Sequence, residues 1–311
     1  ITPEAQEVCD SVDNDCDGAL EVASNDLDAD GQTICAGDCN DGDATIFDGA
    51  TELYDGKDND CNGDIDEGII LDVGTASVVF DGQDRVDQAG HGVAGVGDVD
   101  GDGLDDVLIG APGAEDNGRA YLFLGSSLAG QSQLSVAAAD AIFHGAAHGE
   151  NAGEVVASAG DVDGDTLDDL LISAPDQNSG PGYFGGGVYL MLGSTIVAGL
   201  QATPPVSLFE LASADLLFQN AAANDQVGLS IAPAGDVDGD GRDDLLIGAR
   251  GVDAPGATST QDDTGAAYLV LGSTVVNHLA VPGNDVFSLA NADATFLGEN
   301  PGDQAGFSVG G

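Results

Sequence analysis

A nine-residue phrase occurs three times and limits what this chain can fold into. It reads DVDGDGLDD at residues 98–106, DVDGDTLDD at 161–169 and DVDGDGRDD at 236–244. Each copy alternates Asp with small residues, then runs into an apolar stretch: VLIGAP, LLISAP or LLIGAR. Carboxylates at alternate positions of a tight turn converge on one point, and their repulsion calls for a hard cation. The spacing assigns Asp98, Asp100, Asp102, the Leu104 carbonyl and Asp106 to a first site, with Gly103 at the bend. The second takes Asp161, Asp163, Asp165, the Leu167 carbonyl and Asp169; the third takes Asp236, Asp238, Asp240, the Arg242 carbonyl and Asp244. In the second, Thr166 replaces the bend glycine. A β-branched residue is strained at positive φ, so a distorted or weaker site is expected there.

Calcium is the expected ion, since Mg²⁺ prefers to keep several waters. An EF-hand needs a Glu at position twelve and flanking helices; Ile109, Ile172 and Ile247 stand there instead. Asp-Gly turns also cap ordinary hairpins, but four acids in register three times over favour the cation. Asp105, Asp168 and Asp243, one residue before the last ligand, either support the ligand shell from outside or are merely exposed, and exposure is the favoured expectation.

The charge excludes some partners. Five Lys and Arg stand against 56 Asp and Glu, a net charge of −51. Such a chain lacks the cations that nucleic acid or an anionic membrane surface requires. An apolar content of 42% is that of a globular protein. Two readings of the acidity coexist: bound divalent cations, and an acidic surface suited to high salt. Six divalent ions would add 12 charges and leave −39 of the −51. No apolar run approaches the ~20 residues of a membrane span, so no direct membrane insertion is expected. The start at Ile1 reads as a processed or fragmentary end of a secreted protein.

Residues 1–69 form one region and 70–311 another. All five cysteines lie between residues 9 and 61, which points to disulfides and an oxidising compartment. Their pairing is not selected by the sequence, and the odd count leaves one over. QEVCDSVDNDCDG at 6–18 is duplicated as TELYDGKDNDCNG at 51–63. Asp13, Asp15, Asp17 and Glu21 around Gly18 form one candidate loop. Asp58, Asp60, Asn62, Asp64 and Asp66 around Gly63 form another. Asp26, Asp28 and Asp30 before Gly31 start a third, but Ile34 at its ninth position leaves it dependent on Asp38 or another distant ligand. The phrases CDSVDNDCDG and YDGKDNDCNGDIDEG resemble the Cys- and Asp-rich metal-binding repeats of secreted bacterial proteins, and are similar to thrombospondin type 3 repeats. Tyr54, where the first copy has Cys9, departs from that family's disulfide pattern.

The second region is a repeat array. Phe80, Phe143, Phe218 and Phe296 recur 63, 75 and 78 residues apart; Gly90, Gly153, Gly228 and Gly306 follow them, and Tyr121, Tyr189 and Tyr268 mark a last strand. Each unit reads as an alternating segment such as ADAIFHG, a Gly-led strand, the Asp loop, an apolar strand and a strand such as VYLMLG. No helical pattern exceeds a few residues. The expectation is all-β: three complete blades and the first strand of a fourth. DxDGDGxxD followed by GAP at 110–112, SAP at 173–175 and GAR at 248–250, each after a Gly-led strand, resembles the FG-GAP repeats of integrin α-subunit propellers and their bacterial relatives. The resemblance implies a β-propeller with calcium in a hairpin loop between the first two strands of a blade. Propellers close with about 4–8 blades. A longer native array, or neighbouring chains on the open edges, is therefore expected.

GFSVG at 306–310 matches a nucleophile pattern, but it lies where GHGVA, GEVVA and GLSIA lie in the other units, so Ser308 is expected to be a strand residue. His91, His144, His148 and His278 recur at no matching positions. The chain reads as a non-enzymatic, secreted, calcium-binding module for adhesion or extracellular structure. Its expected partners are copies of itself or an extracellular protein or glycan. The alternative is the non-catalytic propeller of a larger extracellular enzyme that cleaves polysaccharides or lipid anchors.

Overall fold

The computed structural model describes residues 28, 31–33, 36–40, 42–50, 57–63, 77–176, 178–180, 183–220, 224–253 and 263–311. The chain divides into two compact units, Ile1–Ala76 and Ser77–Gly311.

The described residues of the first unit contain turns and no strand. Polar and covalent ties stand in for a core. A disulfide joins Cys39 to Cys61 with their Cα atoms 5.9 Å apart; Cys9, Cys16 and Cys35 lie outside the described residues. Buried Asn59 donates from its side chain to the Thr45 carbonyl at 3.1 Å, and its own carbonyl accepts the Phe47 N–H at 2.8 Å. Lys57 reaches Asp43 at 2.6 Å and holds that carboxyl down at about 2.

The second unit is a row of antiparallel sheets. After a short strand β1 (Val79–Asp81), the first sheet is built from β2 (Val93–Gly97), β3 (Asp106–Ala111) and β4 (Arg119–Phe123). The chain then makes a helical turn α1 (Gly125–Leu128) and a short strand β5 (Gln133–Ser135), and returns as β6 (Ala141–His144), antiparallel to β4. The second repeat follows this order with β7 (Val156–Gly160), β8 (Asp169–Ala174), a separate hairpin of β9 (Asn178–Gly180) and β10 (Tyr183–Phe184), β11 (Gly187–Met191), α2 (Gly193–Leu200), β12 (Leu208–Glu210) and β13 (Leu216–Gln219), of which β7, β8, β11 and β13 share one sheet. The third runs through β14 (Val227–Gly235), β15 (Asp244–Ala249), β16 (Ala266–Val270), α3 (Gly272–Leu279), β17 (Val286–Ser288) and β18 (Ala294–Leu297), of which β14, β15, β16 and β18 share one sheet.

Period-two alternation explains why the middle sheet is buried on both faces. Leu170, Ile172 and Ala174 of β8 pack with Val96, Leu108, Leu122 and Phe143 of the first sheet. Leu171, between them in sequence, packs with Leu245, Ile247 and Val270 of the third. Each sheet thus supplies a core to both neighbours, as stacked repeats require.

Three expectations are corrected. The alternating segment does not open a unit; it closes the preceding one, because β6 and β13 pair with β4 and β11. The array also contains helices, and α2 and α3 are eight residues long. Their first turns are held from outside. Asp140, Asp215 and Asp293 accept N–H bonds from Leu124, Leu192 and Leu271 at 2.8–2.9 Å and hydroxyl bonds from Ser127, Thr195 and Thr274. The sequence carries a trace of this device, an Ala-Asp pair recurring at 139–140, 214–215 and 292–293. Finally, Ser308 lies in a bend rather than a strand, although Ala305 bridges Gly265 in parallel as Ala152 bridges Gly118 and Val227 bridges Gly186 where the following sheets begin. The Ser308 counterparts Gly92 and Val155 precede β2 and β7, which start only at Val93 and Val156, whereas the third counterpart, Ser230, lies inside β14.

The short strands β5, β12 and β17 are a further feature that periodicity did not reveal. Each runs parallel to the outer strand of the sheet before its own: β5 on β1, β12 on β6 and β17 on β13. Phe209 stacks on Phe143 at 5.4 Å, and Phe287 meets Phe218 edge-on at 5.6 Å.

Candidate metal centres

The three nonapeptides fold as hairpin loops joining β2 to β3, β7 to β8 and β14 to β15. A register shift at Gly95/Gly97, Ser158/Gly160 and Pro233/Gly235 marks a bulge at each loop's entry. Such a bulge bends the strand and re-aims the loop that leaves it.

Within each loop the first Asp is the hub. Asp98 accepts the N–H groups of Gly101, Asp102 and Gly103 at 2.8–3.0 Å. Asp161 does the same for Gly164, Asp165 and Thr166, and Asp236 for Gly239, Asp240 and Gly241. The last Asp opens the following strand and is fully buried. Asp106 takes the Val99 N–H on one oxygen and the Gly125 N–H on the other; Asp169 takes Val162 and Gly193; Asp244 takes Val237 and Gly272. It therefore ties the loop to the first residue of the neighbouring helix.

These constraints gather three acids per loop. Carboxylate oxygens of Asp98, Asp100 and Asp106 all lie within 4.8 Å of one another, as do those of Asp161, Asp163 and Asp169, and of Asp236, Asp238 and Asp244. Two oxygens bound to one calcium at 2.3–2.6 Å sit at most about 5 Å apart. Each trio therefore fits one hard cation, and its donors are oxygen alone. Asp102, Asp165 and Asp240 fall outside the trios and accept the N–H two residues on, from Leu104, Leu167 and Arg242.

Burial without compensation raises two trio acids in each of the first two loops. Desolvation pushes Asp106 up to about 6 and Asp169 up to about 8, and it also raises Asp100 and Asp163, whose acidic neighbours add to the effect. A divalent ion reverses this by becoming the largest local charge.

Thr166 takes φ 76°, in the range of its glycine counterparts Gly103 (87°) and Gly241 (89°). Its N–H meets Asp161 at 2.9 Å, as theirs meet Asp98 and Asp236 at 2.9 and 3.0 Å. The expected distortion is absent from the loop's hydrogen bonds; the strain resides in the threonine backbone.

Asp105 is exposed as expected, but Asp168 and Asp243 are half-buried. Asp168 accepts the N–H of Asp98 at 2.8 Å, and Asp243 accepts that of Asp161 at 2.9 Å. An isolated loop has no neighbour to show this, so sequence reasoning ranked exposure above a supporting role.

In the first unit, Asp58 accepts the N–H groups of Asn62 and Gly63 at 3.1 and 3.0 Å, and Asp60 accepts that of Asn62 at 3.1 Å. These three bonds match those of Asp102 and Gly103 in the first blade loop, with Cys61 (φ 62°) in the slot of Gly101 (78°) and Asn59 in that of Val99. Asp28 is half-buried, while Asp13, Asp15, Asp17, Glu21, Asp26, Asp30, Asp64 and Asp66 lie outside the described residues. Among the described residues, no histidine joins an acid trio. His144 sits between Glu115 and Glu210, 3.2 Å from each, and His148 lies 3.5 Å from Asp116.

Comparison with known families accords with this geometry. The FG-GAP repeat model matches residues 89–123, 152–191 and 227–270. A metal-binding motif, Cu-binding MopE, matches residues 1–21 and 38–67. Human integrin alpha-IIb is 33% identical over 171 residues, 52% of this chain and 15% of that protein. Integrin alpha-PS2 of Drosophila melanogaster is 32% identical over 166 residues, 50% and 11% respectively. Integrin alpha-4 of Xenopus laevis is 29% identical over 155 residues, 49% and 13%. The match thus spans about half of this chain and a small part of each relative. With its acid trios set in the hairpins of successive sheets, the chain carries three FG-GAP repeats homologous to those of integrin α-subunits, preceded by a metal-binding motif.

Proposed function

We propose that this chain is the calcium-stabilised propeller portion of a secreted protein, with a non-catalytic role in adhesion or extracellular structure. The observation that carries the reading is the recurrence of one acid trio with a buried last member, held by the same hydrogen bonds, in three consecutive blades. The trio supplies three oxygens per loop; Asp102, Asp165 and Asp240 and the carbonyls of Leu104, Leu167 and Arg242 stand next in the loops and would bring each to five, which a bidentate carboxylate or water extends to a calcium shell of 6–8. When bound, the ion supplies charge compensation, which lets the buried acids stay ionised. The chain's own residues do the rest. The hub aspartates shape the loops, and the buried last aspartates transmit that order to strands and helices. The Cys39–Cys61 disulfide supports an oxidising, extracellular setting. Among the described residues no helix is long and apolar enough to cross a membrane.

For a partner, the same reading favours an extracellular protein or glycan, or a second copy. Phe296 on β18 is 56% exposed, whereas its counterparts Phe143 and Phe218 are buried under the short strand of the next repeat, β12 and β17; a further repeat of the same chain or a second copy would cover it in the same way. Calcium titration calorimetry tests the central claim, with at least three ions expected per chain. Thermal stability and protease resistance unchanged by EDTA would refute it.

A further inference from the structure

We infer that Asp168 and Asp243 are positioning residues for the cation loop of the blade before their own, so that the blade sites are coupled in series. This rests on the calcium reading above. Both joints use the same atoms. Asp168 accepts the Asp98 N–H at 2.8 Å while its own N–H meets the Asp98 carbonyl at 3.2 Å. Asp243 accepts the Asp161 N–H at 2.9 Å, and its N–H meets the Asp161 carbonyl at 3.0 Å. The residue held in each case is the hub of its loop. The residue that holds it directly precedes a trio member, Asp169 or Asp244. An ion that fixes Asp169 therefore also fixes the carboxylate beside it, and through that carboxylate the hub of the loop in the previous blade.

The packing around the joint is specific to it. A Cβ on Gly97 would overlap the Asp168 carboxylate, and one on Gly160 would overlap that of Asp243. Leu167 lies over Gly101, where a Cβ would come within 2.9 Å of its Cδ2. Arg242 lies over Gly164 in the same way and donates from Nε to the Asp163 carbonyl at 3.3 Å. Val99 and Val162 are fully buried in the joined loops. The third loop has no such cover among the described residues. A Cβ on Gly235 would meet nothing within 4 Å, and Val237 is 58% exposed. A carboxylate set against an already acidic loop is repulsive unless donors and a cation offset it. A neutral side chain could have made the same hydrogen bond, so the charge is the telling choice. It adds negative potential to the neighbouring site and gives a charge-assisted bond to its hub.

The test uses the 311-residue chain, with calcium binding read by calorimetry and terbium luminescence. In a background with the second and third loops weakened (Asp163→Asn, Asp165→Asn, Asp238→Asn, Asp240→Asn), Asp168→Ala is expected to lower calcium affinity at the first loop about tenfold. Asp105→Ala, the same position in the first loop itself, leaves that affinity unchanged, because Asp105 is exposed. With the first and third loops weakened instead, Asp243→Ala lowers affinity at the second loop and Asp168→Ala does not. First-loop affinity within twofold of the background after Asp168→Ala, or equal losses from Asp105→Ala and Asp168→Ala, overturns the coupling. Amide exchange in the unsubstituted chain gives an answer even if a variant does not fold. The Asp98 and Asp161 amides should exchange at least about tenfold more slowly than that of Asp236, and equal rates would overturn the inference. An unsubstituted chain that binds no calcium overturns the calcium reading itself. One that binds calcium but shows no Asp168→Ala effect overturns the coupling alone.

Discussion

Thr166 occupies a backbone conformation that L-residues with branched Cβ atoms avoid, yet its loop keeps every hydrogen bond of its glycine-bearing counterparts. The cost is therefore stored locally, on the order of 1 kcal/mol. Thr166→Gly is expected to raise stability by ~1 kcal/mol in calcium-saturated melts without disturbing the second loop. A lowered melting temperature would mean that the threonine makes contacts worth more than its strain. Cys61 presents a related case. It takes a positive φ in the slot where the blade loops use glycine, and its disulfide to Cys39 ties the residue down.

At the level of elements, each loop, strand and helix is joined by a buried carboxylate. Asp106, Asp169 and Asp244 link loop to helix, and Asp140, Asp215 and Asp293 hold the first turn of the same helix from the returning strand. The helices have no side-chain cap of their own, since Leu124, Leu192 and Leu271 stand at their N-caps. Asp215→Ala should cost about 1–2 kcal/mol in a calcium-saturated melt. Asp293→Ala should cost less, because its bonds are exposed and water can replace them. Equal losses from the two would argue against burial as the deciding factor.

For the whole molecule, acidity and metal act against each other. Folding raises Asp106 to about 6 and Asp169 to about 8 when no ion compensates them. The folded form then holds these protons more tightly than the unfolded chain. The associated stability is fully present below the ordinary carboxylate range near pH 4, falls as pH rises through 4–8, and is flat above. EDTA-treated protein should therefore melt at higher temperature at pH 5 than at pH 8. With calcium the order should invert, because protons compete for the ligands. A calcium-loaded protein that also gains stability on acidification would place the ion elsewhere. The exposed edge of β18 predicts association of the 311-residue chain, and light scattering that finds a strict monomer with and without calcium would exclude it.

Much of this was legible in the chain itself. The alternating acids, the apolar run after each and the fixed order of Phe, Gly and Tyr markers are local, and local spacing sets turn geometry and strand period. The loops, their hairpin setting and the three repeats therefore followed from sequence. So did the strain at Thr166, because φ depends on a residue and its immediate neighbours. Tertiary structure alone decided which strand pairs with which. The segment ending at His144 closes the blade before it, since strand pairing satisfies backbone groups wherever the chain returns to them. It alone also distinguished exposed Asp105 from half-buried Asp168 and Asp243. These three residues occupy the same position in the same phrase. They differ only in whether another loop lies against them, and no single repeat encodes its neighbour.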